Sequence, residues 1–126
     1  MGVAPPPDKK PKSSIAVSDA RGVRTLHVGG EAIQSAMRLD DPHALALDYT
    51  RCMMAFLLFH PEPREALMIG LGGGSLAKFF LRNLRKTLIR VVELDPAVVA
   101  AALSFLAAFC VIPIGRQKVE IVHRSQ

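Results

Sequence analysis

Ala66-Leu-Met-Ile-Gly-Leu-Gly-Gly-Gly-Ser-Leu-Ala-Lys-Phe-Phe80 decides the fold. An apolar run enters a cluster of glycines, and a pattern of helical period leaves it. Ala66 to Leu71 suits a strand covered on both faces of a parallel sheet. Leu76, Phe79, Phe80 and Leu84 then fall on one side of a helix. A sharp strand-to-helix turn leaves the first N–H groups of the helix unpaired, at the positive end of its dipole. Glycine removes the side chains that would hold a ligand away from them and permits positive φ. The turn from Gly70 through Gly72, Gly73 and Gly74 is therefore suited to close approach of a polar group, which in a nucleotide fold is the ligand.

The segments downstream extend the pattern. Leu88 to Leu94 reads as a second strand, and Asp95-Pro96 opens an apolar helix as cap and first position. Lys118 to Val122 reads as a third strand. Strand, helix, strand, helix, strand implies a parallel, Rossmann-like sheet. Glu93 ends the second strand about 20 residues after the glycines, where an acidic residue reaches ribose hydroxyls. A carboxylate can accept from two vicinal hydroxyls at once. The sixth position of the dinucleotide fingerprint is Ser75 rather than Gly or Ala, and the Gly-Lys-Thr/Ser of a P-loop is absent. Gly70, Gly72 and Gly74 suit an adenosyl-sulfonium compound, which has no phosphates to cradle, better than NAD.

Upstream lies a different architecture. Ile15 to Leu39 reads as an antiparallel unit of two or three strands, with turns at Asp19–Gly22 and Gly29-Gly30. Asp40-Asp41-Pro42 is expected to start a helix, with Leu45, Tyr49, Met53, Phe56 and Leu57 on one face, ended by His60-Pro61-Glu62-Pro63. The fold class is α/β: a small N-terminal antiparallel β-unit followed by a truncated Rossmann-like sheet. The expected divisions are a basic, proline-rich disordered tail over 1–14, the β-unit over 15–39 and a partial nucleoside-binding domain over 40–126.

Composition narrows the function classes. The 126 residues suffice for one modest domain. The net charge is +5, but three lysines sit in the tail and no basic patch is interleaved with aromatics, so no nucleic-acid partner is expected. Cys52 and Cys110 form no CxxC pattern, and His27, His43, His60 and His123 lack metal-ligand spacing. No metal site is expected. The tail has no apolar core for a signal peptide, which with the two cysteines points to the cytoplasm. Ala97 to Ile112 is almost wholly apolar but, at 16 residues, falls short of the ~20 that span a bilayer. A buried helix is expected there; peripheral membrane attachment is the competing reading.

Four stretches in this order resemble the spermidine synthase family of polyamine aminopropyltransferases, in its spermidine synthase-like branch. They are GVRTLHVGGEAIQSAM (Gly22–Met37), LDYTRCMMAFLLF (Leu47–Phe59), ALMIGLGGGSLAKFF (Ala66–Phe80) and VVELDPAVV (Val91–Val99). The resemblance covers Ile15 to Val122. It implies transfer of an aminopropyl group from decarboxylated S-adenosylmethionine, as co-substrate, to a polyamine such as putrescine. It implies that Gln34 lies against the thionucleoside, that Gly70 to Gly74 hold the amino-acid-like end, and that Glu93 binds ribose. The sequence departs from the family in three places. Gly73 stands where the family has Asp, Tyr49-Thr50-Arg51 replaces Tyr-His-Glu, and His123-Arg124-Ser125-Gln126 replaces the acidic residue past the third strand. The resemblance places the family's catalytic carboxylate beyond a fourth strand, so no residue is assigned a catalytic role. A degenerate module that binds an S-adenosyl nucleoside, or an S-adenosylmethionine-dependent methyltransferase-like protein, is the alternative. A three-stranded sheet with an open edge leads to the expectation of a homo-oligomer.

Overall fold

The computed structural model describes residues 14–107 and 119–122. Residues 1–13 of the expected tail, the stretch from 108 to 118 and residues 123–126 lie outside the described residues. Three strands form the N-terminal unit: β1 (Ile15–Ala20), β2 (Val23–Val28) and β3 (Ile33–Arg38), antiparallel in that order. Arg21 and Gly22, at φ of 50° and 76°, make the two-residue turn from β1 to β2. Successive positive φ values match the twist that a hairpin needs. The β2–β3 register slips at one point. Leu26 faces Ser35 and His27 faces Ile33, leaving Gln34 as an extra residue on β3.

The second sheet carries β4 (Glu65–Ile69), β5 (Leu88–Val92) and β6 (Val119–Val122) in the order β4-β5-β6, all parallel. α2 (Ser75–Asn83) follows β4, and α3 (Pro96–Ala107) follows β5. The Asp95 side chain accepts from the N–H of Ala97 at 2.9 Å, and its carbonyl accepts from Val98 and Val99. Asp95-Pro96 is thus the expected cap and first position.

α3 joins the two sheets. Its Ala102 packs into a core with Leu71, Phe80, Ile89 and Val91, while its Phe105 packs into another with Leu26 and Met37. Among the described residues, no helix is long and apolar enough to cross a membrane.

Two expectations about local structure are corrected. The helix before the glycine turn does not begin at Asp40-Asp41-Pro42; α1 runs only over Asp48–Met53 and passes into a 3₁₀ segment, Met54–Leu58. The carboxylates that would cap an earlier start are committed elsewhere. Asp40 makes a two-point ion pair with Arg38, and Asp41 pairs with Arg82 of α2 at 2.9 Å. Leu47 stands at the N-cap without a side-chain hydrogen bond. Leu45 lies before α1, so the expected single apolar face does not form: Leu45 is buried, but Tyr49 and Met53 are exposed.

The run Ala66–Leu71 is not covered on both faces either. Ala66 and Met68 pack on the core, but Leu67 and Ile69 are 67% and 88% exposed. β4 lies at the edge of the described sheet, and no described element covers that face of it.

Candidate functional site

The glycine turn spans Gly70–Gly74 between β4 and α2. Gly70, Gly72 and Gly74 hold φ of 88°, 54° and 74°, which L side chains rarely adopt. Gly74 is the N-cap of α2 and has no side-chain cap, so the N–H groups of the first turn of α2 need partners other than a cap.

Most of the main chain of the turn is already bonded. Gly70 donates to the Val92 carbonyl at 2.7 Å, and Gly74 donates to the Leu71 carbonyl at 3.0 Å. Leu71 donates to Oε2 of Glu93 at 2.9 Å. Gly73 donates to Oγ of Ser35 at 2.8 Å. The Gly72 N–H has no partner among the described residues.

Glu93 lies just past the C-terminal end of β5, and the structure joins it directly to the glycine turn. Its other oxygen, Oε1, accepts from the N–H of Asp95 at 3.0 Å. One backbone N–H on each oxygen fixes the carboxylate plane and leaves each oxygen able to accept again. Both bonds are charge-assisted, which makes them stronger than neutral ones. The Glu93 side chain is half-buried.

The antiparallel unit closes the other side. Besides the Ser35–Gly73 bond, the Ser75 hydroxyl donates to the Ala36 carbonyl at 3.3 Å. β3 therefore lies against the turn. Gln34 is on this strand, exposed, at the irregular register position, and its carbonyl accepts from the Tyr49 hydroxyl at 2.9 Å. The structure brings Gly70–Gly74 and Glu93 together through a hydrogen bond. It places Gln34 one residue from Ser35, on the strand that touches the turn.

The glycines differ in what surrounds them. A Cβ on Gly70 would meet nothing within 4 Å. A Cβ on Gly72 would come within 2.7 Å of Oγ of Ser35. At Gly73 it would come within 2.9 Å of the Ser35 Cβ and 3.3 Å of the Phe105 ring. Gly70 is thus open to approach from outside, whereas Gly72 and Gly73 admit close packing of β3 and α3. The residue type at 73, where the resemblance leads one to expect Asp, has a packing cause in this chain.

No local pattern marks Ser35 or Lys78 in the sequence. Ser35 meets the turn from 38 residues away. Lys78, on α2, is buried, with Nζ 2.7 Å from Sδ of Met37 and 5.9 Å from the Phe105 ring centre. His43 stands below its ordinary pKa through burial, reinforced by the positive charges of Arg82 and Lys78 and opposed by Asp41. Among the described residues, no cluster of His, Cys, Asp and Glu could hold a metal ion. Cys52 is exposed, and Cys110 and His123 lie outside the described residues.

No family model matches the chain. Curated relatives do. A polyamine aminopropyltransferase of Chromobacterium violaceum is 45% identical over 91 residues, covering 72% of this chain and 35% of that protein. One from Neisseria meningitidis serogroup A is 36% identical over 117 residues, covering 92% and 43%. Solved structures agree in fold. A probable spermidine synthase of Corynebacterium glutamicum superposes with a TM-score of 0.65 at 20% identity, over 94% of this chain and 43% of that one. Spermidine synthase from Thermotoga maritima gives 0.56 at 20% identity, over 92% and 38%. The chain therefore spans well under half the length of these relatives.

Proposed function

The chain belongs to the polyamine aminopropyltransferase family, whose N-terminal region it matches, and from that premise we propose that it is the nucleoside-holding part of an aminopropyl-transfer site. The ligand is decarboxylated S-adenosylmethionine, with polyamine as the acceptor class and the cytoplasm as the compartment.

In this reading the ribose hydroxyls donate to the remaining lone pairs of Glu93. The Gly70 face of the turn lets the sulfonium-bearing end come close to the main chain, and the N–H of Gly72 supplies a donor. Gln34 borders the same region from β3. What supports the reading is the 2.9 Å bond from the Leu71 N–H to Glu93. It sets the carboxylate at a fixed distance from the glycine turn before any ligand arrives, so little ordering is left for binding.

The reaction the ligand would undergo is a displacement. A neutral acceptor amine attacks the carbon beside the sulfonium, that carbon–sulfur bond breaks, and methylthioadenosine leaves with the electron pair. The amine must lose a proton first, which is work for a general base. No described residue is assigned that role. Holding the nucleoside in one orientation is the contribution of this part of the fold, and orientation carries a large share of such a rate.

A second reading is a binding module that does not use the decarboxylated compound. Gly73 favours it, because its packing against Ser35 and Phe105 leaves no space for a carboxylate to meet the substrate ammonium. Calorimetric titration with decarboxylated S-adenosylmethionine, S-adenosylmethionine and methylthioadenosine separates the readings. Tightest binding of the decarboxylated compound supports the first. Preference for S-adenosylmethionine supports a methyltransferase-like role, and absence of heat with all three refutes nucleoside binding.

A further inference from the structure

A second polar feature lies at the other end of the parallel sheet. Residues 61–64, just before β4, and residues 82–87, from the end of α2 to the start of β5, wall a cleft of about 480 Å³. The glycine turn and Glu93 follow the C-terminal ends of β4 and β5. The length of a five-residue strand, roughly 16 Å, therefore separates the two places. The walls of the cleft are fastened to each other. The buried Thr87 hydroxyl donates to the Pro63 carbonyl at 2.6 Å, and the Leu88 N–H donates to the Arg64 carbonyl at 2.9 Å.

The charge of the cleft is one-sided. Arg64, Arg82, Arg85 and Lys86 line it against a single carboxylate, Glu62. Arg82 is engaged by Asp41 at 2.9 Å. Arg64, Arg85 and Lys86 are exposed and have no carboxylate partner among the described residues. Gathering like charges costs energy that a bound anion offsets. The end of α2 brings partial negative charge to the same place, but its last carbonyls are occupied. Phe79 accepts from the Asn83 amide at 2.9 Å, Phe80 from the Leu84 N–H at 2.7 Å, and Leu84 from the Thr87 N–H at 3.0 Å. The Arg82 carbonyl accepts from Nε of Arg85 at 3.4 Å, which leaves the two terminal nitrogens of Arg85 for another acceptor.

We propose that this cleft binds a soluble phosphorylated small molecule, with the phosphoryl oxygens on Arg64, Arg85 and Lys86. The charge balance favours phosphate over a single carboxylate. A phosphate monoester brings nearly two negative charges and three acceptor oxygens to three cations that lack a counter-charge. Guanidinium forks match its oxygens with paired bonds, and the ammonium adds a point charge. The volume lies within the ~300–1,000 Å³ of small-molecule sites. Pro61 and Pro63 stiffen one wall, and the Thr87–Pro63 bond ties it to the other, so little ordering is left for binding. The inference does not rest on nucleoside binding.

The test is calorimetric titration of the 126-residue chain with inorganic pyrophosphate in about 0.1 M salt. One site with a Kd of about 1 mM or tighter is expected. Arg85→Gln with Lys86→Gln should weaken it at least about tenfold. Arg21→Gln with Arg38→Gln removes the same charge from exposed positions of the N-terminal unit and should leave the Kd within about twofold. Amide chemical shifts should move in residues 61–64 and 82–87 and stay fixed at Gly70–Gly74. Absence of heat, equal losses in the two double variants, or shifts centred on the glycine turn overturns the proposal. So does equal affinity for citrate, or tighter binding of oligothymidylate or of phosphatidylglycerol vesicles. Methylthioadenosine carries no phosphate, so its titration reports on the nucleoside site alone and the two proposals fail separately.

Discussion

Replacing Gly73 by alanine sets two effects of opposite sign against each other. No positive φ is imposed at Gly73, so a Cβ suffers no backbone strain there. Alone, the change would stabilise the protein by about 0.4–1 kcal/mol by narrowing the unfolded ensemble. Packing opposes this. The new Cβ would stand 2.9 Å from the Ser35 Cβ and 3.3 Å from the Phe105 ring. The ring can give by a few tenths of an ångström. The Ser35 Cβ is attached to the β3 main chain, so β3 and the turn must separate, stretching the 2.8 Å bond from the Gly73 N–H to the Ser35 hydroxyl. Overpacking of this kind costs about 1–3 kcal/mol, and weakening a buried hydrogen bond adds about 1 kcal/mol. The expected net loss is about 1–3 kcal/mol, a fall in Tm of roughly 4–12 °C for a domain of this size. Thermal and urea melts of Gly73→Ala, Ser35→Gly and the double variant measure it. The cycle should return a favourable coupling of about 1 kcal/mol or more, because Ser35→Gly removes the atom that the added methyl group meets. A Gly73→Ala variant as stable as the parent, or a coupling near zero, refutes the close packing of β3 on the turn.

Three further outcomes follow from the same geometry. Glu93→Ala should lower stability by about 2–4 kcal/mol by denaturant titration, because the Leu71 and Asp95 N–H groups both lose an ionised acceptor. Thr87→Val should cost about 1–3 kcal/mol in the same assay, since the buried hydroxyl donates to the Pro63 carbonyl at 2.6 Å and its loss leaves that acceptor unpaired. His43 should make stability fall in acid. Its folded pKa lies below the ordinary 6.5, so the unfolded chain binds the proton first. Stability is complete above pH 6.5 and declines as the pH drops through the folded value. Melts between about pH 5 and 8 should lose that component in His43→Gln, and an unchanged profile would remove His43 as its source.

The fold is legible in the sequence where local chemistry and global packing agree. The glycine cluster after an apolar run, and Asp95-Pro96 before another, mark the two turns that set Glu93 beside Gly70–Gly74. Each signal is contained in a few consecutive residues. The start of α1 is not legible, because Asp40 and Asp41 have the chemistry of helix caps but are drawn to Arg38 and to Arg82. Only the tertiary arrangement brings Asp41 and Arg82 together. The covering of β4 is hidden for a related reason. The alternation in its burial depends on what packs against the sheet, and an unbroken apolar run does not encode it. Ser35 and Lys78 carry no local signal because their partners lie 38 and 41 residues away.

In the proposed site, Glu93 and the glycine turn grip one nucleoside together. The most direct measurement is the Kd of methylthioadenosine for the parent chain and for Glu93→Gln, taken by calorimetry at a temperature where both are folded. Gln keeps the size of the side chain but loses the charge and one acceptor. Measurable binding to the parent is expected, with a loss of about tenfold or more in the variant, the equivalent of one strong hydrogen bond. Equal affinity in the two proteins, or no binding to a folded parent, contradicts it.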